Sequence, residues 1–327
     1  MTTLKDIARL AGVSTATVSR IITGKGEAGL DTIRKVNKIV AEMGYKPNTV
    51  AKTLSRRESS LIALLIPNLN NPFFSELVGK IERAANQHGF QIYLCNSEDD
   101  REKVEYYLET MADNYVMGAI INSLFVTVED LRWLESRGIS TITMDRTQLA
   151  HPYSAVAVDH VHGGYIAAKE VIGERHHQRL VFLSGPANEK SSEDRYAGYL
   201  KAVKEADAVN LGQLFGNFDI TSGYQACYDF LQDGTIIDGI VSSNDAMALG
   251  AIRACQDLQR QVPKDIRIIG YDNTSYGAYS IPRLSTINQF KKKSSDIIIE
   301  ELIRVHQHNQ KAKKYQMEPE LITRETT

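Results

Sequence analysis

The chain is read as α/β, with an N-terminal all-α helix-turn-helix domain followed by a two-lobed domain built on parallel sheets. Three observations predict this. Short apolar runs alternate with amphipathic helical stretches from Leu61 onward, which is the pattern of strand–helix–strand units on a parallel sheet. That series occurs twice at similar length, so two lobes with a crevice between them are expected. Ahead of both lies a short helical stretch whose charge differs from the rest. Residues 1–60 hold 11 Lys/Arg against 5 Asp/Glu, a balance of +6, while the whole chain stands at −2 and the remainder therefore near −8. A small positive module on an acidic body points to a polyanion as partner of the module alone.

Length and composition agree. At 327 residues with 43% hydrophobic and 24% charged residues, the chain has the make-up of a soluble globular protein of two or three domains. No apolar run reaches the length of a bilayer span, and MTTLKDIARLAG lacks the pattern of a signal peptide, so a cytoplasmic protein is expected. Cys95, Cys227 and Cys255 are far apart and form no CxxC, which reads as packed, reduced thiols.

In the N-terminal part, Leu4, Ile7, Ala8 and Ala11 follow a helical i, i+3, i+4, i+7 spacing that stops at Gly12. Ser14 can cap a second helix from Thr15 to about Ile22, buried through Val18 and Ile21/Ile22. A third helix carries Ile33, Val36, Ile39, Val40 and Met43 and closes at Gly44, a C′ glycine. Its start is set by Gly29 or, one turn later, by Asp31. Two helices joined by a three- or four-residue turn containing glycine make a helix-turn-helix, whose second helix presents its N-terminal end to DNA base edges. Thr15, Ala16, Thr17, Ser19 and Arg20 are short or polar there, and Arg20 suits bidentate contact with guanine. Pro47 ends the preceding structure; Asn48 can then cap a short helix, Thr49 to about Ser55, with Val50, Ala51 and Leu54 on one face. Seven or eight residues are too few for an isolated helix, so this segment needs a partner to fold. The boundaries that follow are 1–46 for the helix-turn-helix domain, 47–59 for the hinge and linker, and 60–327 for the body.

LKDIARLAGVSTATVSRIITGKG followed by GYKPNTVAKTLSRR resembles the N-terminus of LacI/GalR bacterial transcription regulators. The resemblance implies base reading by Thr15, Ala16 and Arg20, with Thr17 and Ser19 beside them. It also implies that Asn48, Ala51, Lys52 and Leu54 of the hinge reach the minor groove, Leu54 as a wedge at the centre of a near-palindromic operator.

In the body the strand candidates are 61–67, 90–95, 118–122 and 140–145, then 179–185, 211–217, 238–243 and 266–272. Helices are expected over 74–88, 101–114, 128–137, 163–175, 195–206, 221–232 and 245–258, with 291–310 as a final amphipathic helix packed on the body. In open parallel sheets ligands bind beyond the carboxyl ends of strands. The residues that follow strands include Asn71, Phe73, Phe74, Asp145, Arg146, Phe218, Asn244, Asp272 and Gln289, while Arg195 is read as opening a helix after Gly185. Acceptors and forked donors match vicinal hydroxyls, and ring faces match the C–H faces of a sugar. No glycine-rich phosphate loop, GxSxG or HExxH occurs. His160, His162, His176 and His177 lack partners at metal-ligand spacing and read as surface or loop histidines, so no metal, cofactor or enzymatic activity is expected.

The body is similar to periplasmic sugar-binding proteins, and the ten residues from Asn71 to Gln289 occur in the types and order of the ribose-binding members. The resemblance, which includes ribose operon repressors, implies a repressor of a sugar-utilisation operon, released by ribose. Response to sucrose or fructose, a corepressor in place of an inducer, and a transport receptor are the alternatives. Tetrameric members carry a leucine-heptad tail, which MEPELITRETT does not provide, so a homodimer is expected.

Overall fold

A computed structural model describes residues 3–22, 28–45, 59–145, 152–174, 178–291, 293–308 and 311–327. The hinge helix and its residues Asn48, Ala51, Lys52 and Leu54, together with Arg146, His176 and His177, lie outside the described residues. The chain divides into two compact units, Met1–Glu58 and Ser59–Thr327.

The first unit holds α1 (Leu4–Ala11), α2 (Thr15–Ile22) and α3 (Leu30–Glu42). Thr3 and Asp6 form a capping box at the start of α1, satisfying two amides that the helix itself cannot. Gly12 ends α1 in the left-handed region, φ 73°. Gly29 stands at the N-cap of α3 without a side-chain bond, one of the two starts its sequence allows. Gly44 adopts φ 57°, and the amides of Gly44 and Tyr45 reach back to the carbonyls of Ala41 and Val40, closing α3 in a Schellman turn. Ile7, Ala8, Ala11, Val18 and Val36 make a small buried core, flanked by Leu4, Val13, Ile21, Ile22 and Ile39.

The second unit contains two six-stranded sheets. The first lobe's sheet has the order β11–β5–β4–β3–β1–β2 and every pairing in it is parallel. It is made of β1 (Leu61–Ile66), β2 (Gln91–Asn96), β3 (Gly118–Ile121), β4 (Ser140–Met144), β5 (Ser154–Val158) and β11 (Lys314–Met317). The second lobe's order is β12–β10–β9–β8–β6–β7, parallel except for β12 against β10. Its strands are β6 (Arg179–Ser184), β7 (Val209–Phe215), β8 (Gly239–Ser242), β9 (Arg267–Tyr271), β10 (Ser285–Asn288) and β12 (Glu320–Ile322). The helices between them are α4 (Pro72–Gln87), α5 (Arg101–Asp113), α6 (Val128–Ser136), α7 (His160–Ile172), α8 (Lys190–Glu205), α9 (Ile220–Leu231), α10 (Asp245–Asp257), α11 (Ser275–Tyr279) and α12 (Ser294–His308). Central strands are near-continuous apolar runs because helices cover both faces; β1 is buried from Ile62 to Ile66. The three cysteines are free and buried, as expected.

The chain passes between lobes after β5, after β10 and between β11 and β12. Two of these passages touch, since the Asp159 amide donates to the Met317 carbonyl at 3.1 Å. α12 returns from the second lobe to pack on α4, β3, β4 and β5, where Ile298, Ile299 and Leu302 join the first lobe's core.

Several expectations need correction. The helix expected from Arg195 begins at Lys190, because Glu189 accepts the Ser192 amide and caps it earlier (2.9 Å). The helix expected from Gly163 begins at His160, capped by Asp159 through the His162 amide at 2.8 Å. The final helix begins at Ser294 rather than at 291 and is described as far as His308. β5, β11, β12 and α11 have no counterpart in the sequence reading.

α7 and α8 cross so closely that a Cβ on Gly198 would stand 1.9 Å from the Val161 carbonyl oxygen and 2.6 Å from the Tyr165 amide. Helix propensity alone would favour alanine over glycine by about 1 kcal/mol. The obstacle here is backbone, so overpacking outweighs it, and Gly198→Ala is expected to destabilise the protein by about 1–3 kcal/mol, read as a lowered urea midpoint.

Asp245 is wholly buried at the start of α10 and accepts from the Thr274 amide and hydroxyl and from Thr286 Oγ1, tying α10 to α11 and β10. Burial pushes its carboxyl from 3.8 up to about 6 against those hydrogen bonds. The native state therefore keeps a proton between about pH 4 and 6 that the unfolded chain has released, and this contribution to stability falls as pH rises through that window. Asparagine has no proton to lose. The urea midpoint of the wild type relative to Asp245→Asn should drop between pH 4 and about 6.5; parallel profiles would contradict the shift.

Candidate functional site

Two candidate sites are built on these frames, one in each unit. In the first, Ser14 Oγ accepts the Thr17 amide at 3.1 Å and holds the N-terminal end of α2. Thr15, Ala16 and Arg20 are exposed, while Thr17 and Ser19 are half-buried. Arg20 Nε lies 3.4 Å from the Ala16 carbonyl, which folds the guanidinium stem back along the helix that carries it. All five predicted positions thus belong to one helix whose apolar side, through Val18, closes the core.

The second site is a cavity of about 560 Å³ between the lobes of the body. Nine of the ten predicted ligand residues line it: Asn71, Phe73, Phe74, Asp145, Arg195, Phe218, Asn244, Asp272 and Gln289. Asn71 caps α4 by accepting the Phe73 amide, and Pro72 occupies the first turn, where no N–H is required. This places Phe73 and Phe74 edge to face, 5.1 Å apart, at the mouth of the helix. From the second lobe Phe218 follows β7, and its carbonyl accepts from Asn244 Nδ2 at 2.9 Å while Asn244 Oδ1 caps α10. Asp145, Phe218 and Asp272 all have positive φ (50°, 60° and 117°) without being glycine. Such backbone strain, concentrated in residues that leave strand ends, is characteristic of binding sites.

The floor of the cavity is polar and buried: Arg195 is 5% exposed, Asp272 7%, Gln289 2% and Asn244 1%. Arg195 donates to the Ser243 carbonyl at 2.5 Å and to Gln289 Oε1 at 3.4 Å, and its guanidinium lies 3.9 Å over the Tyr271 ring. Gln289 Nε2 in turn donates to Asp272 Oδ1 at 2.5 Å. Burial pushes the Asp272 carboxyl well up, with Arg195 opposing and Asp245 adding to the shift. Burial would raise Asp145 too, but His160, the Val158 amide donating at 2.9 Å, and Arg195 outweigh it and hold that carboxyl low. Opposed carboxylates on either side of one buried guanidinium suit a neutral, hydroxyl-rich ligand better than an anion.

Sequence reasoning missed part of this site. Asn122 follows β3 and lines the cavity, so the strand-end rule that found the others could have found it. Leu124 and Phe125, also lining, carry no such signal. His160 is not a surface histidine. It is 6% exposed, with Nδ1 3.1 Å from the Tyr271 hydroxyl and 3.3 Å from Arg195 Nε, and Nε2 3.5 Å from Asp145 Oδ1. His162, by contrast, is exposed. Among the described residues no group of three or more His, Cys, Asp or Glu side chains is placed to hold a metal, and no helix is long and apolar enough to cross a membrane.

Known proteins share this architecture. The family described as bacterial regulatory proteins, lacI family, matches residues 3–48, and a periplasmic binding protein-like domain matches residues 169–327. The ribose operon repressor of Halalkalibacterium halodurans is 30% identical over 331 residues, covering 100% of this chain and 97% of that one. The HTH-type transcriptional repressor PurR of Pectobacterium atrosepticum is 33% identical over 329 residues, covering 99% and 96%. Among solved structures, the lac repressor dimer bound to operator and the anti-inducer ONPF aligns with a TM-score of 0.89 at 27% identity, over 100% of this chain and 99% of that one. A LacI family regulator from Enterococcus faecium with bound ribose aligns with a TM-score of 0.73 at 25% identity, over 82% and 98%. With a lacI-family head at its N-terminus, a two-lobed periplasmic-binding-protein-like body after it and relatives matched along its whole length, the chain belongs to the LacI family of bacterial DNA-binding transcriptional repressors, which are not enzymes.

Proposed function

We propose that this repressor controls a sugar-utilisation operon and leaves its operator when a small sugar, ribose, fills the cleft. The observation that carries the reading is the floor of the cavity, where Arg195, Gln289 and Asp272 form one hydrogen-bonded chain beneath aromatic rings from both lobes. Donors and acceptors in alternation fit vicinal hydroxyls, and Phe73, Phe74 and Phe218 fit a sugar's C–H faces. The ribose operon repressor of H. halodurans and the ribose-bound E. faecium regulator support a pentose. A second reading keeps the architecture and makes the ligand a corepressor that tightens DNA binding. The sign of the ligand's effect on operator affinity separates the two.

In this proposal residues 1–46 read DNA through Thr15, Ala16, Thr17, Ser19 and Arg20. Residues 47–59 form the hinge, with Asn48, Ala51, Lys52 and Leu54 on the minor groove, and 60–327 bind sugar and pair two chains. Asp145 and Arg146 act together on the sugar with the other cleft residues. A two-fold homodimer reads a near-palindromic operator; the lac repressor structure, a dimer bound to operator, supports the pairing.

Calorimetric titration with ribose, ribose 5-phosphate, fructose and sucrose should show ribose tightest and the phosphate ester rejected; a preference for sucrose would replace the ligand and leave the architecture intact. Phe218→Ala should weaken ribose binding at least tenfold, the equivalent of about 1.4 kcal/mol of lost ring contact. Linkage requires operator DNA to weaken sugar binding by the factor by which sugar weakens operator binding. Equal sugar affinity with and without operator would rule out induction.

The hinge supplies an independent check. Leu54→Ala should reduce operator affinity strongly while the sugar affinity of the free protein stays unchanged; equal loss in both would make this stretch part of the folded core.

A further inference from the structure

Neither base reading nor direct sugar contact gives His160 a task, for it does not line the cavity. Yet it is the first residue of α7, directly after the passage from the first lobe to the second, and it is buried between groups of both. Asp145, at the end of β4, belongs to the first lobe; Arg195 on α8 and Tyr271 on β9 belong to the second.

We propose that His160 is a positioning residue that holds Asp145 and Arg195, one from each lobe, in register for the ligand. It does so only as the neutral tautomer protonated on Nε2, which makes ligand binding acid-sensitive. The last clause rests on the sugar reading of the cleft; the tautomer does not.

The neighbours decide the tautomer. Arg195 Nε–H can only donate, and it points at His160 Nδ1 from 3.3 Å, so Nδ1 presents a lone pair. The Tyr271 hydroxyl lies 3.1 Å from the same nitrogen, and burial keeps that hydroxyl protonated by raising its pKa. The ring proton is therefore on Nε2, which faces the Asp145 carboxylate at 3.5 Å. That contact is longer than a hydrogen bond, and Nε2 is buried without another partner. A buried N–H in this position is unfavourable until its acceptor approaches. Closing the gap by a few tenths of an ångström would satisfy it, so drawing Asp145 toward the second lobe on a ligand is favoured by the same contact.

A second proton has only Nδ1 to occupy. There it would set N–H against N–H and cation against cation across 3.3 Å, with the Asp145 carboxylate at 3.5 Å as the opposing attraction, and would displace Arg195 from Gln289 and the ligand. The other charged or titratable groups around the ring are Asp159, which caps α7, exposed His162 on the same helix, and Asp272, reached through Arg195 and Gln289. Asp272 is the one whose own protonation could mimic the effect, and it remains in every variant used below.

Two measurements on the full chain test this. Histidine ¹⁵N spectra of the sugar-free protein at pH 8 should contain one ring with a protonated Nε2 and bare Nδ1 that disappears in His160→Gln. A protonated Nδ1 on that ring overturns the proposal. Ribose calorimetry between about pH 8 and 5 should show wild-type affinity falling at least tenfold on the acid side. At pH 8, His160→Ala should bind ribose about tenfold more weakly than wild type. His160→Gln, whose amide can replace Nε2–H, should recover part of that loss, and neither variant should weaken more than threefold on acidification. Retention of thermal stability and operator binding identifies which of the two variants is folded and can be read. If the variants keep the wild-type pH profile, Asp272 or another group is responsible and the acid switch is refuted. If wild type binds no ribose at any pH, the sugar reading falls, while the tautomer measurement still judges the positioning role.

Discussion

A guanidinium keeps its charge at any pH a cell meets and carries five N–H donors, so burying Arg195 obliges its surroundings to answer it. The second lobe does so with a carbonyl from the end of β8, the Gln289 amide beyond β10 and the ring of Tyr271 on β9. His160, from the passage between the lobes, supplies a lone pair. Each of these partners is in turn fixed by something else: Gln289 by Asp272, His160 by Asp145 and Tyr271. The polar floor of the cleft is thus one network around a permanent charge, satisfied except at His160 Nε2. Half-satisfied networks of this kind are strongly unfavourable, which leaves little freedom for any single member to change.

The same requirement explains why the cleft residues sit on loops at strand ends while the network beneath them draws on helices. Parallel strands end together on one edge, so Asp145, Phe218, Asn244 and Asp272 converge although they are far apart in sequence. Their unusual backbone angles are tolerated because neighbouring hydrogen bonds hold them, as with Asp145 pinned by the Val158 amide and Asp272 by the Ile287 carbonyl. A second buried carboxylate, Asp245, sits under this edge and binds α10, α11 and β10 together without reaching the cavity.

Much of this was legible in the sequence. The three head helices, eight of the strands and eight of the nine described cleft positions follow from periodicity and from the rule that strand ends carry ligands, the ninth being Arg195, read at the tip of a helix. What was not legible depends on tertiary contact. HVHGG at the start of α7 is poor helix sequence, with two glycines and two histidines. Its glycines answer two neighbours: a Cβ on Gly164 would meet the Arg195 carbonyl of α8 at 1.9 Å, and one on Gly163 the Tyr271 hydroxyl at 2.2 Å. The polar run KSSED reads as a loop but is the first turn of α8, and that displacement puts Arg195 inside the helix rather than at its tip. β11 and β12 are short and weakly patterned, recruited by the edges of finished sheets. His160 had no sequence signal at all, because its importance comes from three residues that only the fold brings to it.

The return of α12 and β11 to the first lobe has a consequence for the chain as it is synthesised. Everything from α7 through β10 must emerge before Ile298, Ile299 and Leu302 can cover β3 and β4 and before β5 gains its outer neighbour. At ordinary elongation rates that interval is on the order of ten seconds. Throughout it the first lobe carries an uncovered apolar face and an unpaired strand edge, a combination prone to aggregation. Completion of the first lobe is therefore coupled to that of the second, and a nascent chain of this topology passes through an obligatory period in which a chaperone has something to hold.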